Sequence, residues 1–158
     1  MHHPQVEPLN KSHDVNGFDC GTPKLNEWLQ TIAGQHQAKG LSKTYLLVAD
    51  SGEIVGFLTL AVRGITPKET MPPGMVKKLP KEIPGFTLAR LAVSERFKGQ
   101  GHGEFLLFNA IARAQDVAEQ TGGPFLFVDA KDAEAAAFYM KYGFVPFPSD
   151  PLTLVLRL

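Results

Sequence analysis

Little in this sequence is extreme, and each shortage narrows the field. Among 158 residues there is one cysteine, Cys20, so no disulfide can close within the chain, and a framework of the small secreted kind is excluded. Neither sign of charge dominates: sixteen Lys and Arg balance sixteen Asp and Glu, so attraction to nucleic acid or to an anionic membrane has to come from local patches. Long hydrophobic runs are missing. The longest apolar stretches fall well short of the roughly 20 residues a membrane helix needs, and the N-terminus lacks the basic-then-apolar layout of a signal peptide. These absences predict a cytoplasmic protein with no membrane partner. No internal repeat is present, and 12 Pro and 15 Gly are scattered between apolar runs, which excludes disorder and a collagen-like repeat. His2 and His3 are too few for a metal site, and no metal is expected. The composition that remains, 44% hydrophobic and 20% charged, suits one compact core, a single domain over residues 1–158.

After a short extended start, Thr22 and Pro23 read as the N-cap and first residue of an amphipathic helix with Leu25, Trp28, Leu29 and Ile32 on its apolar face, and Gly40 closes its polar tail. Residues 44–49 and 54–62 are β-rich runs about a hairpin turn at Asp50-Ser51-Gly52-Glu53, giving two antiparallel strands. The proline-rich stretch 64–85, with Lys77, Lys78 and Lys81, reads as a connecting excursion outside the core, where any helix is short. Residues 87–93, apolar except for Arg90, read as an interior strand buried on both faces. A largely buried helix is expected from Gly103 to about Glu119, stopped by Gly122-Gly123. Residues 125–128 then form a strand, residues 133–141 a helix stopped by Gly143, and residues 144–147 and 152–156 a closing pair of strands. This order predicts an α/β fold with a single mixed sheet, antiparallel at its beginning and end, with one parallel crossover between.

The informative segment is Leu91-Ala92-Val93, followed by Lys98-Gly99-Gln100-Gly101-His102-Gly103 and a helix. Closely spaced glycines let successive backbone N–H groups converge without Cβ obstruction, and the following helix adds unsatisfied donors and its positive dipole end. Such a turn suits a phosphate or pyrophosphate; a tight strand-to-helix connection with no ligand has the same grammar. No Gly-Lys-Ser or Gly-Lys-Thr follows, so this is not a P-loop. The mid-chain position, without a ribose-binding acid after the next strand, fits a Rossmann turn poorly.

The segment resembles the pyrophosphate loop of the GCN5-related N-acetyltransferases, the GNAT superfamily, Gln/Arg-x-x-Gly-x-Gly/Ala at the start of a helix, with Lys98 at the first position. Lysine keeps the positive charge and loses the fork of arginine. The superfamily's second signature, roughly Asn-x-x-Ala-x-x-x-Tyr ahead of Gly-Phe, is similar to Asp132, Ala135, Phe138-Tyr139 and Tyr142-Gly143-Phe144, with Asp in place of Asn. Phe18-Asp19-Cys20-Gly21, Leu25-Asn26, Trp28-Leu29, Pro84, Arg90-Leu91-Ala92-Val93, Ala136-Ala137-Phe138-Tyr139 and residues 148–158 resemble, across almost the whole chain, the GNAT toxins of type II toxin–antitoxin systems. The resemblance implies a mostly antiparallel sheet with a central splay, flanked by helices, and acetyl-CoA as cosubstrate. It implies that the main chain of Leu91, Ala92 and Val93 pairs with pantetheine, and that Lys98, Gly99, Gln100, Gly101, His102 and Gly103, with Asp132, serve cofactor binding. It also places Tyr139 as general acid, with Tyr142 as its structural neighbour. Members of the toxin group acetylate the α-amine of aminoacyl-tRNA, which stops translation, and pair with a ribbon-helix-helix antitoxin; a homodimer is a further partner expectation.

Acetyl transfer from a thioester needs a neutral amine, donors facing the developing oxyanion, and help for the departing thiolate. A phenol of pKa about 10 stays protonated at neutral pH and can donate to a thiolate of about 8–9, although packing alone also accounts for tyrosines on an apolar helix. No general base stands out: His13 and His36 lie in polar early segments, His102 in the glycine turn, and Asp129 reads as a strand terminator. An α-amine of pKa about 7.7–8.0 is partly neutral at physiological pH, whereas a lysine ε-amine at about 10.4 gains more from a base, which favours the α-amine. Lys77, Lys78 and Arg90, with Lys81 and Arg63, form the candidate patch for RNA phosphates; solvated surface is the competing reading of the lysines. Zero net charge favours the alternative enzyme, a small-molecule or peptide N-acetyltransferase, and a non-catalytic module binding acetyl-CoA or a partner is a third class, against which Tyr139 counts. Cys20 reads as a small buried hydrophobe.

Overall fold

The computed structural model describes residues 5–158, so His2 and His3 lie outside the described residues. Seven strands share one sheet in the order β1-β2-β3-β4-β5-β7-β6. They are β1 Gln5–Pro8, β2 Lys43–Val48, β3 Ile54–Pro67, β4 Glu82–Val93, β5 Phe125–Asp129, β6 Val145–Phe147 and β7 Asp150–Arg157. The helices are α1 Pro23–Glu27, α2 Ala33–Ala38, α3 His102–Thr121 and α4 Ala133–Lys141. β1 pairs antiparallel with β2, and β2 with β3 through the expected hairpin, where Gly52 takes φ 89°. β4 and β5 run parallel, with α3 between them in sequence as the crossover, and β7 pairs antiparallel with both β5 and β6. The α/β class and single mixed sheet expected from the sequence are formed. Among the described residues, no helix is long and apolar enough to cross a membrane.

Two compact units can be distinguished: the residues up to Ala61 with Ala89–Ala112, and Val62–Leu88 with Arg113–Leu158. In the first, Leu9, Phe18, Trp28, Leu29, Leu46, Phe57 and Ala92 form a buried cluster. Gly56 is required there, because a Cβ would sit 2.6 Å from the Ala92 carbonyl oxygen and 2.8 Å from Leu106 Cδ1. The amphipathic helix begins at Pro23 as expected, but it is not continuous: a π-helical turn, Trp28–Ile32, joins α1 to α2 and turns Trp28 and Leu29 into the cluster.

In the second unit, Met71, Val76 and Ile83 are buried with Phe125, Phe127, Phe147 and Val155. This corrects the reading of 64–85 as an excursion outside the core. Its flanks are strand, since β3 runs on to Pro67 and β4 starts at Glu82, and only two single turns of 3-10 helix, Lys68–Thr70 and Pro73–Met75, lie between. Proline removes a donor and fixes φ, which breaks regular structure without preventing the apolar residues between prolines from being buried. Two burial expectations also change. In α3 only Leu106, Leu107, Ala110 and Ala114 are buried, while Phe105, Phe108 and Val117 are 43–50% exposed, so the helix packs along one stripe. In residues 87–93 only Leu88 and Ala92 are fully buried and the rest are half-buried.

Candidate active site

The glycine turn is built as its spacing predicted. After Val93, the Ser94 N–H donates to the Val55 carbonyl at 2.8 Å, a 3-10 turn follows at Glu95–Phe97, and α3 starts at His102. Gly99 and Gly101 take φ 79° and 84°, in the left-handed region, and a Cβ on either would meet nothing within 4 Å. The conformation demands glycine, and the surface above both residues is open to a ligand. The Gly101 carbonyl accepts from Phe105 N–H at 3.1 Å, which closes the first turn and leaves the preceding N–H groups without intrahelical acceptors. His102 packs edge-on against Phe97, with ring centroids 6.2 Å apart.

Lys98 extends from this turn in an unexpected direction. Its Nζ donates to the Cys20 carbonyl at 2.7 Å and pairs with Glu95 Oε1 at 3.1 Å, so the ammonium anchors the turn to the loop before α1. That loop is itself knotted: Asp19 Oδ1 accepts from Gly21 N–H at 2.9 Å and from Asn26 Nδ2 at 3.0 Å, while Asn26 Oδ1 accepts from Cys20 N–H at 2.8 Å. Hydrogen bonds from Gly21 and Asn26, with the Lys98 charge nearby, hold Asp19 below the ordinary carboxylate range. The Asp19-Cys20-Gly21 and Asn26 matches thus build the receiver for Lys98.

On β4, the Arg90 guanidinium lies over the Trp28 ring at 4.8 Å and its Nη1 donates to the Ala89 carbonyl at 2.8 Å; burial lowers its pKa. Leu91, Ala92 and Val93 follow directly, Ala92 buried and its neighbours half-buried. The register of β4 with β5 pairs Phe86, Thr87 and Leu88 with Leu126, Phe127 and Val128.

In the second unit, Asp132 adopts extended backbone and its Oδ1 accepts from Ala135 N–H at 2.8 Å, capping α4. A carboxylate and an amide oxygen serve equally well there, which accounts physically for Asp at the Asn position of the signature. Tyr139 is 7% exposed, with Phe138 and Phe144 rings at 5.3 and 5.5 Å, and burial pushes its phenol pKa above the ordinary value. The Tyr142 ring lies against Phe138 at 5.2 Å, and its backbone N–H donates to the Tyr139 carbonyl at 3.0 Å. Lys77 and Lys78 are exposed, and Lys78 is held at φ 65°.

Arg63 is not available as a free cation: it forks onto Asp129 at 3.2 and 3.4 Å and lies 4.8 Å from the Phe127 ring. The Thr153 hydroxyl bridges Asp129 Oδ1 at 3.0 Å and Asp150 Oδ2 at 2.7 Å. Sequence reasoning missed this network and the Trp28–Arg90 stack, because nothing local signals either pairing.

Residues 42–146 match the model of the acetyltransferase (GNAT) domain family. The chain belongs to the GNAT family. This GNAT chain is 34% identical over 151 residues to a tRNA-acetylating toxin of Mycobacterium tuberculosis, covering 95% of this chain and 89% of the relative. Its fold is similar to that of AtaT complexed with acetyl-methionyl-tRNAfMet, at 28% identity and TM-score 0.90 over 98% of this chain and 94% of the other. It is also similar to a tyrosine-to-phenylalanine variant of the AtaT toxin bound to the C-terminus of the antitoxin AtaR and to acetyl-CoA, at 26% identity and TM-score 0.82 over 98% and 93%.

Proposed function

We propose that this chain, as a single acetyltransferase domain over residues 1–158, transfers the acetyl group of acetyl-CoA to the α-amine of the amino acid on charged tRNA and so blocks translation. The observation that carries this reading is the 34% identity, over 95% of the chain, to a tRNA-acetylating toxin. The likeness to AtaT with acetyl-methionyl-tRNAfMet, and to the same toxin with its antitoxin and acetyl-CoA, supports it. The enzyme acts in the cytoplasm, where charged tRNA is, is restrained by a ribbon-helix-helix antitoxin, and pairs as a homodimer.

The turn at Gly99 to Gly103 fits a pyrophosphate: its two left-handed glycines present an open backbone next to the unsatisfied N–H groups and positive end of α3. Backbone donors therefore do the holding, while Lys98 fixes the shape of the turn through Cys20. The N–H groups of Leu91, Ala92 and Val93 orient and polarise the thioester carbonyl. The neutral amine attacks that carbon; the C–N bond forms, the C–S bond breaks, and the proton lost by the amine ends on sulfur. A buried phenol raised above about 10 holds its proton more tightly than a thiol near 8.5, so Tyr139 supports the leaving sulfur as a hydrogen-bond donor that is always protonated. Asp132 acts through its cap, fixing the start of the helix that carries Tyr139.

Incubation with labelled acetyl-CoA and total charged tRNA tests the reading against the same tRNA after its amino acids have been hydrolysed off. Label should enter only the charged pool and leave with the amino acid. Labelling of free amines or peptides with none on charged tRNA would replace it with a general N-acetyltransferase.

A further inference from the structure

Arg90 differs from the two cations that follow it in the chain, Arg96 and Lys98. Lys98 is spent on Cys20 and Glu95, and Arg96 on Glu53, with Nη1 at 2.7 Å from both carboxylate oxygens. Arg90 gives one hydrogen bond, to the carbonyl of the residue before it, and among the described residues no carboxylate pairs with it. A half-buried guanidinium without a counter-charge is costly unless something completes it.

Its position is imposed from below. The Trp28 ring under it is stacked on Phe57, with centroids 6.2 Å apart and planes 8° from parallel, and meets His36 edge-on at 6.1 Å. Trp28 opens the π-helical turn, a local departure from α-helix that recurs at functional sites. A guanidinium held over an indole face gains cation–π attraction there and still has N–H donors beyond the one given to the Ala89 carbonyl, which can grip a phosphate.

We infer that Arg90, held over the Trp28 ring, receives a phosphate of the single-stranded acceptor end of the charged tRNA, and that Trp28 is the residue that positions it. This rests on the proposed function. Arg90 directly precedes Leu91-Ala92-Val93, where the thioester is proposed to pair, and successive strand residues are only about 3.3 Å apart. Pantetheine carries no charge, the pyrophosphate is assigned to the glycine turn and the 3′-phosphate of acetyl-CoA lies beyond it on the nucleotide, so an anion beside Leu91 belongs to the acceptor.

The test is steady-state acetylation of charged tRNA over a salt series by parent, Arg90→Gln, Arg90→Lys, Trp28→Phe, Trp28→Leu and the Trp28→Leu/Arg90→Gln double variant, with folding checked by circular dichroism. Arg90→Gln should raise KM for charged tRNA about ten-fold or more, leave KM for acetyl-CoA within two-fold, and flatten the log–log salt slope by about 0.7, one single-strand phosphate contact. Arg90→Lys should restore the slope but not the affinity. Trp28→Leu should raise KM for charged tRNA, Trp28→Phe should recover most of it, and Trp28→Leu should add nothing once Arg90 is Gln. An unchanged KM and slope in folded Arg90→Gln overturn the inference. So does a Trp28→Leu effect of equal size in both backgrounds, which makes Trp28 merely structural. Where Trp28→Leu does not fold, the same comparison is made with Trp28→Met, whose ringless side chain should raise KM only while Arg90 is present; an effect equal in both backgrounds overturns the positioning role. Failure of the parent to label charged tRNA at all is a different result and overturns the proposed function itself.

Discussion

A single hydroxyl separates the two roles open to Tyr139, and its surroundings make the distinction measurable. The ring packs against Phe138 and Phe144 in either case, so Tyr139→Phe should keep the fold and the affinity for acetyl-CoA. Turnover should fall by about 10²- to 10⁴-fold, the usual worth of proton or hydrogen-bond assistance, and a rate within a few-fold of the parent leaves the tyrosine as packing only. The raised phenol pKa carries a second expectation. Above about pH 10 the unfolded chain releases this proton while the folded chain still holds it, so the unfolded state binds fewer protons and stability falls as pH rises. Denaturant unfolding should therefore show a steeper alkaline loss for the parent than for Tyr139→Phe. Equal slopes would mean that the phenol is not desolvated in solution.

The strand, turn and helix formed by β4, the glycine turn and α3 work as one element, in which backbone conformation matters more than side chains. Gly101 and Gly122 share a left-handed φ, 84° and 80°, and each has open space where a Cβ would stand. They differ in place, one opening α3 and one following its end. Gly101→Val and Gly122→Val should both lose stability through backbone strain, on the order of 1–2 kcal/mol. Only Gly101→Val should also weaken acetyl-CoA binding in calorimetry, since its side chain projects where the pyrophosphate is proposed to lie. Equal affinity in the two folded variants would remove the turn from the cofactor site.

At the scale of the whole molecule, zero net charge conceals an uneven distribution. Glu7, Asp14, Asp19, Asp50, Glu53 and Glu95 all line one groove of the first unit, a local concentration of acidic groups within a chain of zero net charge. Neutrality of the total is therefore no obstacle to local capture of RNA phosphates. If the two lysines contact tRNA, Lys77→Ala and Lys78→Gly should each reduce the steepness of the salt dependence of charged-tRNA acetylation, by up to about 0.9 per duplex phosphate contact. Lys78→Gly is the cleaner variant, because glycine relieves the φ of 65° instead of adding strain. An unchanged slope in both returns these lysines to ordinary solvated surface.

The sequence alone determined what depends on neighbours a few residues away. The helix at Ala133–Lys141 with its stop at Gly143, the hairpin about Gly52, the glycine turn and the single parallel crossover were all legible, because turn chemistry, capping and hydrophobic period act over one to four residues. Tertiary structure decided the rest. The burial of Met71 and Val76 inside a proline-rich stretch depends on strands far along the chain. The same holds for the commitment of Lys98 to the Cys20 carbonyl, of Arg63 to Asp129 and of Arg90 to the Trp28 ring. A lysine or arginine reads the same in a sequence whether its charge is spent on a carbonyl, a carboxylate, an indole or a ligand. Only strand register and packing bring the partner within reach, and these are properties of the folded chain.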